Sequence, residues 1–213
     1  MIKQSLILLI FLLTTYDCEA IDWQLKKDKE GIKIYTGALP NSNIRAIKAE
    51  FELTTSLSRL VVVLQDAKSH EQWVYRAKTS YLVKKINDNE QIYYSEWDMP
   101  WPMMNRDVVV DIKIAQDPDT KVLAISADAI PGYVPEQSHI IRVSFSKASW
   151  TAAPIGNNKV RIEYIAQADP GGSIPAWIVN LFCDKGPYET FKKLDKLLNT
   201  ELYKNAHADF IKD

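Results

Sequence analysis

Two charged residues stand where charge is least expected. In the stretch 91–97, Ile92, Tyr94 and Glu96 share one parity; from residue 106 onward, Arg106, Val108, Val110 and Ile112 share another. If both stretches are strands joined by residues 98–105, a carboxylate and a guanidinium project together from an apolar face. A lone charge there is costly. A pair can satisfy itself and still offer donors and acceptors to a third molecule. Parity leaves two outcomes open: a polar anchor at the floor of an apolar cavity, or a slip at a strand end that sends one or both charges to solvent.

Other chemistry is sparse. There is no G-x-S-x-G elbow, phosphate loop or G-x-G-x-x-G. His70-Glu71 opens like a zinc-protease motif, but Val74 stands where the second histidine belongs, and His139 and His207 are scattered. Cys183 beside Phe182 has the setting of a small buried apolar group. No catalytic residue, metal ligand or cofactor is therefore expected. An enzyme acting on a bulky hydrophobic substrate would have to use Glu96, Tyr94 or Tyr164 as acid or base.

The chain is 46% hydrophobic and 25% charged, an ordinary globular composition. A net charge of -1 gives no field for nucleic acid. The first twenty residues read as a signal peptide, with Lys3, a short apolar run over 5–13, and Cys18 and Ala20 at the small cleavage positions. Export is expected, to the periplasm in a bacterium or otherwise by secretion. Residues 21–213 are expected to form one domain, and the protein to be a monomer. Cleavage would remove Cys18, so no intramolecular disulfide is expected and the core must supply stability.

Period-two alternation runs from about 32 to 168. Ile47, Ala49, Phe51 and Leu53 alternate with Lys48, Glu50 and Glu52, and Val160, Ile162, Tyr164 and Ala166 with Arg161, Glu163 and Gln167. Further strands are expected at 32–36, 79–86, 91–98, 121–128 and 139–152. Turn residues at 87–90, 117–119 and 156–158 predict antiparallel hairpins. A short helix is expected over 56–65 under a Ser56 cap. A long one is expected from Ile174 to about Asn205, broken near Gly186-Pro187. Ile174, Trp177, Ile178, Leu181, Phe182, Phe191, Leu194 and Leu198 recur at helical spacing. That helix is the one element long enough to cover the sheet. Trp97 and Trp101 flank the loop Met99-Pro100-Trp101-Pro102-Met103-Met104. Exposed, it would be a rim that touches membrane; the commoner arrangement, expected here, is packing beneath the loop.

Three ordered segments resemble the START (steroidogenic-acute-regulatory-related lipid transfer) domain: EWDMPWPMMNRDVVV from Glu96, PEQSHIIR from Pro135 and DPGGSIPAW from Asp169. The resemblance covers about 22–204. It implies an α+β helix-grip fold, a strongly curved antiparallel sheet wrapped around a long C-terminal helix. Between them it implies a tunnel for one sterol, phospholipid or similar lipid. In sterol-binding relatives an acid and an arginine matching Glu96 and Arg106 meet inside that tunnel. On this reading the protein binds and transfers lipid, touches membranes transiently and catalyses nothing; a cyclase-like enzyme or a ligand-responsive sensor is the alternative. Ile92, Tyr94, Val108, Val110, Ile112, Ile162 and Tyr164 would line the sheet side, and Trp177, Ile178, Leu181 and Phe182 the helix side. Glu96 and Arg106 would hold the head group. The loop at 116–120 and the last helix would form the mouth.

Overall fold

Why the chain makes one curved sheet is visible in its hairpins. The computed structural model describes residues 21–40, 42–172, 174, 180 and 183–213. The strands are β1 (Trp23–Lys29), β2 (Ile32–Leu39), β3 (Ser42–Thr54), β4 (Ala77–Lys85), β5 (Glu90–Trp97), β6 (Asn105–Gln116), β7 (Leu123–Ala129), β8 (Ile140–Arg142), β9 (Phe145–Pro154) and β10 (Lys159–Asp169). Their spatial order is β1-β2-β3-β10-β9-β7-β6-β5-β4, antiparallel throughout, with short β8 adding to β6 in parallel. The turn at 156–158 is made by Gly156, Asn157 and Asn158, all with positive φ, which suits those residue types. The sheet does not close into a barrel.

The expected span 139–152 is two strands, because Val143 and Ser144 interrupt it between β8 and β9. β1, with only Trp23 and Leu25 as apolar residues, escapes the alternation rule and sits at the sheet's edge. Between β3 and β4 the chain crosses over through α1 (Leu57–Gln65), a turn of 3-10 helix and α2 (His70–Trp73). Ser56 caps α1 by accepting from the Arg59 amide at 3.2 Å.

The last helix, α3 (Lys185–Leu198), lies in the concavity. Pro187 falls in its first turn, where amides lack helical partners anyway, so the Gly-Pro pair marks a helix start. Its buried stripe is Tyr188, Phe191, Leu194, Leu197 and Leu198. Phe191 stacks on Phe51 at 4.5 Å and meets Trp150 and Tyr164 edge-on at 5.5 and 5.1 Å. Such contacts add to a large buried apolar area. The helix stops at Leu198 and does not run to 205; the chain turns and returns across α1. There Ser58 Oγ accepts from the Ala208 amide at 2.6 Å, the Ser58 amide donates to Asp213 at 2.8 Å, and Gln116 bonds the Lys212 backbone at both ends of its side chain. Ala208 and Ile211 are buried by this return.

Candidate functional site

β6 divides the molecule's polar chemistry. Its odd and even residues face opposite sides of the sheet, so Arg106 and Asp107 point apart. On the concave side stand Arg106, Val108, Val110 and Ile112, as their spacing predicts. β5 pairs with β6 so that Trp97 lies opposite Arg106, Glu96 opposite Asp107, and Tyr93 opposite Val110. The concave residues of β5 are therefore Tyr93 and Trp97. Ile92, Tyr94 and Glu96 are on the convex side.

This corrects the expected pair. Glu96 and Arg106 do not meet. The Glu96 carboxylate accepts from Lys78 Nζ at 2.8 Å and Asn105 Nδ2 at 2.7 Å. The physical reason is that both sides of β5 are buried. The segment around Ile130 and Val134 covers Ile92, Tyr94 and Val109 from outside, so an apolar parity there does not mark the interior. Tyr94 stacks on Tyr81 at 4.9 Å and its hydroxyl accepts from Gln137 at 3.1 Å.

Among the described residues the ion pair with both side chains buried is a different one. Arg142 grips Asp107 with two bonds, Nε–Oδ1 at 2.7 Å and Nη2–Oδ2 at 3.0 Å, with the side chains 3% and 1% exposed. Its remaining donors reach the carbonyls of Pro131, Val134 and Pro135. The bonds to Asp107 push the Arg142 pKa further up. Arg142 thus fastens the outer segment to the sheet. In the sequence it was visible only as the last letter of a motif.

Two adjoining pockets, each partly open to solvent, lie between the sheet and α3. The larger is an apolar cavity of ≈ 400 Å³ walled by Ile47, Tyr75, Trp97, Met99, Pro100, Met103, Val143, Ala168, Pro170, Ile174 and Pro187, with Arg106 and Arg76 among them. The smaller, ≈ 210 Å³, shares Trp97, Ser146, Pro187 and Thr190 with it. Val108, Val110, Ile112, Tyr93, Tyr164, Trp150, Phe191 and His70 line that smaller space. Ile162 belongs to the packed core, as do Phe51 and Leu53. Trp177, Ile178, Leu181 and Phe182 lie outside the described residues.

Arg106 is buried in the wall of the larger cavity at 3% exposure. Nη1 donates to the Met104 carbonyl; Nε and Nη2 reach the carbonyls of Pro170 and Gly171 at 3.4 Å each. Burial lowers its pKa. The glycines that follow make this approach feasible. Gly171 and Gly172 have φ of +66° and +68°, and a Cβ on Gly172 would fall 2.8 Å from Ile141 Cδ1 and 3.4 Å from Arg106 Nη2.

Burial disfavours the charged forms of the histidine and the tyrosines that line the smaller space. Burial lowers the His70 pKa, and its Nε2 bonds the Leu64 carbonyl at 3.0 Å. Burial raises the Tyr164 hydroxyl to about 12 and pushes Tyr93 up as well.

Two surface features depart from expectation. Trp101 does not pack under its loop: it is 92% exposed, with Met104 half exposed beside it, while Met99, Pro100 and Met103 turn inward to the cavity wall. The loop at 116–120 lies at the far end of β6 from Arg106, with Gln116 tied to the tail, and contributes nothing to either cavity wall among the described residues.

An antiparallel sheet that grips a terminal helix over an apolar cavity defines a helix-grip protein of the START/Bet v 1-like class. The START domain pattern matches residues 12–202, and the chain belongs to that family. It is 31% identical to the phosphatidylcholine transfer protein of Mus musculus over 82% of this chain and 83% of that one. It is also 31% identical to an uncharacterised protein of Pseudomonas aeruginosa, over 82% and 86%. Among solved structures, a STAR-related lipid transfer protein of Xanthomonas axonopodis shares 33% identity at a TM-score of 0.78, covering 84% of this chain and 99% of that one. Human STARD10, at 22% identity and a TM-score of 0.71, has the same fold.

Proposed function

We propose that the protein is a lipid carrier. It takes one amphiphile from a membrane, holds it between the sheet and α3, and releases it unchanged. The observation that carries this is the apolar cavity of ≈ 400 Å³ with one buried guanidinium in its wall. That size falls in the range of roughly 300–1,000 Å³ typical of small-molecule sites. Moving a methylene from water into such a wall gains roughly 0.8 kcal/mol, so an alkyl chain supplies the drive for loading. Family membership and the lipid-transfer relatives support the same reading. Burial raises the Tyr93 and Tyr164 hydroxyls and makes them weaker acids, which fits carriage better than acid catalysis at these positions.

Membrane contact in this proposal falls to Trp101 and Met104, because the same loop supplies cavity wall and an exposed indole, a side chain that settles at bilayer interfaces. Export of a monomer through the first twenty residues completes the reading.

Delipidated protein is incubated with mixed-lipid vesicles, recovered free of them and extracted for mass spectrometry. One lipid per chain is expected, taken up more slowly by Trp101→Ala. Protein recovered without any lipid overturns the proposal.

A further inference from the structure

Among the described residues the Arg106 charge has no counter-charge. The carboxylates closest to it in sequence face other partners: Glu96 bonds Lys78 and Asn105 on the opposite side of the sheet, Asp107 pairs with Arg142, Asp98 pairs with Arg76 at 3.0 Å, and exposed Asp169 accepts from the Gly171 amide at 2.9 Å. No ion pair to Arg106 exists among the described residues, and beyond residue 20 none of the residues outside that set is acidic. Three of the five guanidinium N–H groups go to main-chain carbonyls. Among the described residues one N–H on each terminal nitrogen is left over, the fork that binds an oxyanion.

A buried charge without an opposite charge is unfavourable, and a cavity is where a guest can supply one. We infer that the cavity's natural guest is an anionic amphiphile whose carboxylate or phosphate pairs with Arg106. This rests on the carrier reading and narrows it. A neutral hydroxyl would leave the guanidinium uncompensated. Arg76, the other cation in the wall, already has Asp98. The fall in the Arg106 pKa with burial as its cause agrees with a site lacking an acidic neighbour.

The test uses three probes of equal chain length on the whole, delipidated protein at pH 8: hexadecanoic acid, hexadecyl phosphate and hexadecanol, titrated calorimetrically. The two anions are expected to bind roughly tenfold or more tightly than the alcohol, the difference a charge-assisted bond makes. In Arg106→Met the three should come within about twofold, and Arg106→Lys should keep part of the preference. The better anion tells whether carboxylate or phosphate is the head, and either order supports the inference. Alcohol binding as tightly as the anions to wild-type protein overturns it while leaving the carrier intact. Preference surviving in Arg106→Met overturns the assignment to this residue. No binding of any probe removes the carrier reading itself.

Discussion

Arg106 and Arg142 are both buried, both near β6, and electrically opposite. Arg142 closes a complete set: a bidentate carboxylate and three carbonyls. Arg106 faces an apolar cavity with carbonyls alone. The first arrangement builds structure; the second leaves a charge for something else to answer. The sequence letters Arg106-Asp107 place both environments one residue apart.

The sharpest break of that comparison removes each arginine in turn. Arg142→Ala strands Asp107 in the interior and should cost about 3–5 kcal/mol in urea unfolding. Arg106→Met strands no carboxylate and should stay within about 1 kcal/mol of wild type. Equal losses would show that Arg106 is structurally paired. A milder cut compares neighbouring valines. Val109 sits in the filled convex cluster and Val110 against the smaller cavity. Val109→Ala should cost roughly 2 kcal/mol and Val110→Ala about half that, since a side chain already facing a void loses fewer contacts. The smallest effect concerns pH. His70 has its pKa lowered in the fold, so the unfolded chain takes up the proton first as pH falls below about 6.5. Stability is therefore full above that value and declines below it. His70→Gln keeps a donor for the Leu64 carbonyl and cannot titrate; its melting temperature should fall less between pH 7 and 5.5.

Much of the fold was legible because alternation is honest where one side of a strand faces water. In β3 and β10 the charged residues Lys48, Glu50, Arg161 and Glu163 mark the outside, and the core side follows. β5 carries Tyr93 and Tyr94 back to back, and both sides are covered, so neither parity announces the cavity. Parity alone therefore leaves the side of Glu96 open, and the inward position that the resemblance implies is not the one it takes. The covering segment owes its place to Arg142, whose reach to Pro131, Val134 and Pro135 has no local pattern. The tail beyond residue 205 is bound by main-chain and hydroxyl contacts to α1, which leave no periodic trace. The cavity itself is a matter of volume, and spacing along a chain does not encode whether facing side chains touch.

The tail's attachment has a mechanical result. Gln116 and Arg106 sit at the two ends of one strand, some ~34 Å apart at the rise of an extended chain. Whatever widens the gap beside the arginine works against a far end bolted by Ser58, Gln116 and the returning C-terminal residues. In the carrier proposed above, the sheet and helix would then part like the jaws of tweezers, joined at that far end.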